Sequence, residues 1–245
     1  NEPFYVSHVL RKISPYFTKF FIKHNLRVYQ KRIISILFGI VASVIFVFGS
    51  YYSMLVGCIF LQFCYLFDLV DGEIARVTNV KTVGGIYLEA IGWVITDCSF
   101  MLSLGIALSQ VLDHNVFVFF GLTFALFICL GEYFFLARNW LIRQFGRKEE
   151  KCIVTKSVSS ARTLLRKLYL SAHARANSWF VLTIIVTFEL VFPIRLNFSF
   201  FGEAFSRIFG ETLSISAIYF LLYGFNRMYR AIVSSVTIYR NLMKS

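Results

Sequence analysis

The sequence predicts an all-α integral membrane protein with six transmembrane helices and an N-terminal interfacial amphipathic helix. Three observations predict it. Of the 245 residues 58% are hydrophobic and only 16% charged, and the mean hydropathy is +0.68, far from the balance of a water-soluble domain. The apolar residues gather into segments of roughly 20, the length that crosses a bilayer as a helix. The basic surplus, 25 Lys and Arg against 13 Asp and Glu for a net charge of +12, sits mostly at the ends of those segments. Such a surplus can signal nucleic-acid binding, but this placement fits cytoplasmic loops, anionic headgroups or phosphate-bearing substrates, so no nucleic-acid partner is expected.

Ahead of the apolar segments, Val9, Ile13, Tyr16, Phe17 and Phe20 recur at helical spacing, and Lys12, Lys19 and Lys23 form a stripe along the flank of that face. Ser14 and Pro15 read as an N-cap and N1 pair, predicting a helix over 15–23 that lies in the membrane interface. Six spans are then expected at 33–49, 52–75, 85–110, 115–138, 178–198 and 212–234. This divides the chain into an N-terminal cytoplasmic or interfacial segment, 1–32, and a six-helix transmembrane catalytic domain, 33–245. With the N-terminus inside, the basic residues before the first span, Arg76 and Lys81 after the second, the loop from Arg138 to Arg175 and the C-terminal stretch with Arg227, Arg230, Arg240 and Lys244 are all cytoplasmic. Arg195 and Arg207 then fall at or beyond the outer surface. The loop 143–175 is expected to hold one short surface helix near Leu164, Leu165 and Leu168. Four cysteines, Cys58, Cys64, Cys98 and Cys129, lie within apolar segments and Cys152 in the basic loop, with neither disulfide nor zinc spacing. Residues 1–11 lack the pattern of a cleavable signal, so the first span is expected to direct insertion.

Charged residues inside a membrane are costly and usually functional. The second span ends in Asp68-Leu-Val-Asp71-Gly72-Glu-Ile-Ala75-Arg76, and the third opens on Gly84-Gly85-Ile-Tyr-Leu-Glu89. On a helix Asp68, Asp71 and Ala75 share a face, the two carboxylates about one turn apart. A short connection makes the next helix an antiparallel neighbour, so Glu89 can join them near the cytoplasmic surface. Three hard-oxygen ligands suit Mg²⁺ or Mn²⁺, above all where phosphate oxygens complete the shell. Gly72 and Gly85 permit close approach of a helix or a nucleotide, and Arg76 offers a fork of donors for phosphate. The plainer alternative is that the carboxylates pair with Arg76 and Lys81 at a helix end and that the glycines only ease packing.

This segment resembles the CDP-alcohol phosphotransferase family, whose pattern is D-x-x-D-G-x-x-A-R, about eight residues, then G-x-x-x-D-x-x-x-D. The match runs through Asp68, Asp71, Gly72, Ala75, Arg76, eight intervening residues and Gly85. The resemblance implies a six-helix membrane enzyme, commonly a homodimer, that transfers a substituted phosphoryl group from a CDP-linked alcohol to an alcohol acceptor and releases CMP in phospholipid or related synthesis. It also implies two divalent ions, Mg²⁺ or Mn²⁺, held by Asp68, Asp71 and Glu89. The nucleotide would be held by Asp68, Gly72, Ala75, Arg76 and Gly85, in an active site facing the cytoplasm.

Two departures bear on chemistry. The family's third acid is Glu89 here, and its fourth, the base on the acceptor hydroxyl, falls on Trp93, which cannot take a proton. Asp97, one turn further along roughly the same side but about 12 Å from Glu89 along the helix, is the substitute base. Arg138, Arg143, Arg227 and Arg230 are candidates to line an acceptor-phosphate pocket. The alternatives are a catalytically impaired family member that binds a CDP-linked ligand, and a small-solute transporter whose buried acids form an ion site.

Overall fold

A computed structural model describes residues 5–24, 28–78, 83–145, 175–197 and 212–243. A π-helical turn, Val6–Leu10, runs into α1 (Arg11–Lys23). The following helices are α2 (Val28–Phe46), α3 (Tyr51–Val77), α4 (Val83–Leu112), α5 (Val116–Phe145) and α6 (Arg175–Val191). Strands β1 (Arg195–Asn197) and β2 (Thr212–Ser214) and the helix α7 (Ile215–Met243) complete the described chain. Each expected apolar segment is helical over most of its described length. Among the described residues three helices are long and apolar enough to cross a membrane, Tyr51–Val77, Tyr87–Leu112 and Val116–Phe134, while Ser178–Val191 is apolar but shorter. The expected surface helix within 143–175 and the stretch around Arg207 expected at the outer surface lie almost wholly outside the described residues.

Helix boundaries follow local chemistry. The α2–α3 turn passes through Gly49 at φ +61°, where a side chain would be strained, and Ser50 and Ser53 form a reciprocal capping box that starts α3. The span expected over 178–198 stops at Val191: Pro193 has no N–H to continue the helix, and Arg195–Asn197 pairs antiparallel with Thr212–Ser214. The buried Glu189 accepts a hydrogen bond from the Ser216 backbone N–H at 2.8 Å, and Ser214 Oγ accepts from Ala217 N–H at 3.2 Å. Together they satisfy two of the first-turn donors of α7.

The core lies between α2, α3, α4, α5, α6 and α7, around Phe46, Met54, Leu61, Met101, Leu104, Phe117, Phe124, Trp179 and Phe220. Lipid is as apolar as these side chains, so close fit holds helices together in a bilayer more than transfer from water does. The α4–α5 crossing shows it. A Cβ on Gly105 would lie 2.5 Å from the Phe117 carbonyl oxygen, and one on Gly121 2.9 Å from that of Met101. Neither position tolerates even a methyl without parting the helices.

At the N-terminus the structure corrects the expected cap. The helix begins at Arg11, with Pro15 inside it, and Ser14 is buried. Glu73 of α3 accepts hydrogen bonds from Arg11 Nη1 (2.8 Å), Ser14 Oγ (2.7 Å) and Thr18 Oγ1 (2.7 Å). The face of α1 that carries Ser14, Thr18 and Phe21 thus docks on the protein, and Val9, Ile13, Tyr16 and Phe20 face outward, exposed.

Candidate metal and nucleotide site

The motif sits in the last turns of α3 and the first turns of α4. Thr78 closes α3 by donating from both its backbone N–H and its hydroxyl to the Ile74 carbonyl, each at 2.8 Å, so Asp68, Asp71, Gly72, Ala75 and Arg76 all remain on regular helix. Gly85 and Glu89 stand in the first two turns of α4. The connection 79–82, including Lys81, lies outside the described residues.

Asp68, Asp71 and Glu89 do converge, and they converge on a residue the sequence reading treated only as a membrane-end charge. Arg32, in the second turn of α2, donates from Nη1 to Asp68 Oδ1, while its Nη2 lies 3.4 Å from Asp71 Oδ2 and 3.5 Å from Glu89 Oε2. Of the pairing expected with Arg76 and Lys81 in the plainer alternative, the described residues show Arg32 in place of Arg76, and Lys81 lies outside them. Arg32 and Asp71 are buried, at 6% and 8% exposure, whereas the Glu89 side chain is 52% exposed. The cluster therefore opens on the Glu89 side.

Among the described residues no three ligating side chains converge closely enough to hold a metal ion as they stand. The donor set nonetheless fits one. It consists of hard oxygens from two adjacent helices, and Asp71 Oδ1 is buried without a hydrogen-bond partner, an arrangement that is costly unless something answers the charge.

Gly72 is not a packing glycine. A Cβ there would meet only the Arg76 guanidinium, at 3.6 Å, an ordinary contact, so no neighbouring helix demands the missing side chain. Arg76 is exposed and enters no ion pair with a described residue. Gly72 and Arg76 together leave an open, positively charged ledge beside the carboxylates.

Position 93 faces the core. The Trp93 ring lies 5.9 Å from Tyr65 and 5.9 Å from Trp179, part of an aromatic cluster joining α3, α4 and α6. Asp97, one turn further, is 2% exposed and receives a hydrogen bond from Arg227 Nη2 of α7 at 2.8 Å. Sequence reading named both residues without joining them. The side chains of Arg138 and Arg143 lie outside the described residues. Arg230 shares the Arg227 side of α7 at i+3, and its Nη2 is buried with no hydrogen-bond partner.

The chain is thus a bundle of apolar helices with an acidic cluster at a helix–helix junction, beside an open glycine and arginine. The sequence profile of CDP-alcohol phosphatidyltransferase matches residues 32–189, well over half of the 245, and the chain belongs to that family. The matched region opens at Arg32 and contains every motif residue and Asp97; Arg227 lies beyond it. No curated protein matches the chain. Membership makes it a member of a membrane transferase family that transfers a phosphate-linked group from a CDP-alcohol.

Proposed function

We propose that the protein is a metal-dependent enzyme of membrane phospholipid or related phosphodiester synthesis. It would act through six spans, α2 to α7, with the acidic cluster at the cytoplasmic face, and as the homodimer that the family resemblance implies. The observation that carries this reading is the meeting of Asp68, Asp71 and Glu89 from two helices beside the open Gly72–Arg76 ledge. The acceptor oxygen displaces CMP from the phosphorus that carries the donor's alcohol, the bond between the two phosphates breaks, and the acceptor's proton passes to a base. Asp68, Asp71 and Glu89 would hold Mg²⁺ or Mn²⁺, which supplies Lewis-acid neutralisation of diphosphate charge when bound. Gly72, Ala75 and Gly85 let the nucleotide lie against the helices, and Arg76 grips a phosphate through its fork of donors. Fixed charges of this kind need no reorganisation as the reaction proceeds.

Asp97 is proposed as the base that replaces the acid missing at Trp93. Its ion pair with Arg227 means that the carboxylate meets an acceptor only when Arg227 shifts toward that acceptor. The same pair favours a second reading, in which Asp97 positions Arg227 for an acceptor phosphate. The Lys and Arg asymmetry supports a cytoplasmic site. The outward Tyr16 and Phe20 with Lys12, Lys19 and Lys23 support α1 lying in the interface.

CMP release by purified protein, followed with a panel of CDP-alcohols and acceptors in Mg²⁺ or Mn²⁺, tests the reading. Trp93→Asp is expected to do little and Asp97→Asn to lower kcat with CMP affinity intact. If Trp93→Asp instead raises turnover, position 93 is the natural seat of the base. Metal-dependent binding of CDP-alcohols without turnover of any donor would make the protein a binding member of the family.

A further inference from the structure

We propose that the cavity between α1 and α3 seats one anionic phospholipid, its tail against an aromatic wall and its headgroup on Lys19 and Lys23. The inference rests on the reading of α1 as an interfacial helix and assigns a lipid separate from the donor and the acceptor.

Tyr16, Phe17, Phe20 and Phe21 of α1 and Phe67 of α3 line an apolar cavity of about 320 Å³, at the lower end of the range that ligand sites occupy. The five rings offer hydrocarbon and a single hydroxyl, that of Tyr16, so the wall suits a chain of methylenes and not a polar ligand. Tyr16 and Phe20, at 75% and 55% exposure, stand at its outer edge. The inner rings lead on into the bilayer. Phe67 lies 5.6 Å from Phe17 and 5.7 Å from Phe21, and Phe63, one turn deeper in α3, lies 6.5 Å from Phe67 and is itself exposed. The run of rings therefore joins the cavity to the outer surface of α3, the path an acyl chain takes from the interface into the hydrocarbon.

Charge selects the headgroup. Residues 5–24 hold no Asp or Glu, and Arg11 is committed to Glu73. Lys12, Lys19 and Lys23 are exposed and enter no ion pair with a described residue. Lys19 follows Tyr16, and Lys23 follows Phe20, by three residues, the spacing of surface neighbours on a helix, so both lysines border the mouth of the cavity. Cations at a membrane surface draw anionic headgroups, and lysine stems cover apolar surface while their ammonium groups reach the phosphate level. The acidic cluster lies on another face of α3. Phe67, Val70 and Ile74 pack with Phe21 of α1, whereas Asp68 and Asp71 turn toward Arg32 of α2.

The experiment places the full chain carrying Tyr16→Trp in nanodiscs of zwitterionic phospholipid and adds a small fraction of phospholipid brominated in its tails, either anionic or zwitterionic. The fluorescence that the new indole adds over the parent chain is followed. The anionic lipid is expected to quench it at a mole fraction lower by about tenfold or more, since two lysines act on one headgroup. Lys19→Gln with Lys23→Gln, at exposed positions that spare the fold, should bring the two lipids together. Phe20→Ala, which removes part of the wall, should weaken quenching by the anionic lipid severalfold. Equal quenching by both lipids with the lysines intact would overturn the inference and leave α1 in the interface. So would a preference that survives loss of both lysines, or an anionic lipid indifferent to Phe20→Ala. Release of the quenching lipid by a CDP-linked lipid at concentrations that just fill the nucleotide site would give the cavity to the donor and overturn it as well. No quenching by either lipid would overturn the interfacial placement beneath it.

Discussion

Nη2 of Arg32 lies 3.4 Å from Oδ2 of Asp71 across the α2–α3 junction, and this contact joins the first apolar helix to the motif helix. The same guanidinium reaches Asp68 and Glu89, so one basic side chain of α2 gathers two acids of α3 and one of α4. Burial makes the arrangement matter: an ion pair with little exposure is weak evidence of net stability, but breaking it from one side is costly.

The Asp97–Arg227 pair gives the first prediction. Asp97→Asn leaves the Arg227 guanidinium, mostly shielded inside the bundle, facing a neutral amide, and a loss of about 3–5 kcal/mol is expected. Adding Arg227→Gln should recover part of that loss, because the stranded charge is removed as well. Thermal unfolding in detergent measures both. Strictly additive losses would show that the pair contributes no coupling.

Gly72→Ala separates packing from ligand access. The new methyl meets only the Arg76 guanidinium, at an ordinary 3.6 Å, and alanine is the better helix former by about 1 kcal/mol. Thermal stability is therefore expected to hold or rise while CMP affinity falls about tenfold or more, the equivalent of roughly 1.4 kcal/mol. Unchanged CMP affinity by equilibrium dialysis would remove Gly72 from the nucleotide site.

Glu73→Gln tests the docking of α1. The carboxylate accepts from Arg11, Ser14 and Thr18 at 2.7–2.8 Å, and hydrogen bonds to a charged group contribute about 1.5–3 kcal/mol each. An amide offers one acceptor oxygen where three donors arrive. Deuterium exchange should quicken across Arg11–Lys23 and stay slow in α4 and α5. Equal protection of α1 in both proteins would mean that its apolar contacts suffice to hold it.

The acidic site was legible because Asp68, Asp71, Gly72, Ala75, Arg76 and Gly85 lie close together in sequence, where helical periodicity alone sets their relation. Arg32 was not, since it is 36 residues from Asp68 and a basic residue at the head of an apolar segment has the ready explanation of membrane topology. Glu73 was hidden for a different reason. It occupies a variable place in the motif, and of its partners, spaced i and i+4, Ser14 was read as a cap and Thr18 was given no role. Apolar periodicity marked a face whose Val9, Ile13, Tyr16 and Phe20 are exposed, but Phe21, outside that stripe, is the apolar residue that packs on α3. Pro193 marked the end of α6, yet the apolar run continuing past it masked the break.

CMP binding tests the central claim most directly, since CMP is the fragment common to every donor of this class and needs no knowledge of the alcohol on either side. Equilibrium binding of labelled CMP to the purified chain should require Mg²⁺ or Mn²⁺, vanish on chelation, and be lost in both Asp68→Asn and Asp71→Asn, which keep side-chain size while removing a ligand charge. CMP binding that persists in both variants, or none in the parent chain with either metal present, would contradict the assignment of the site.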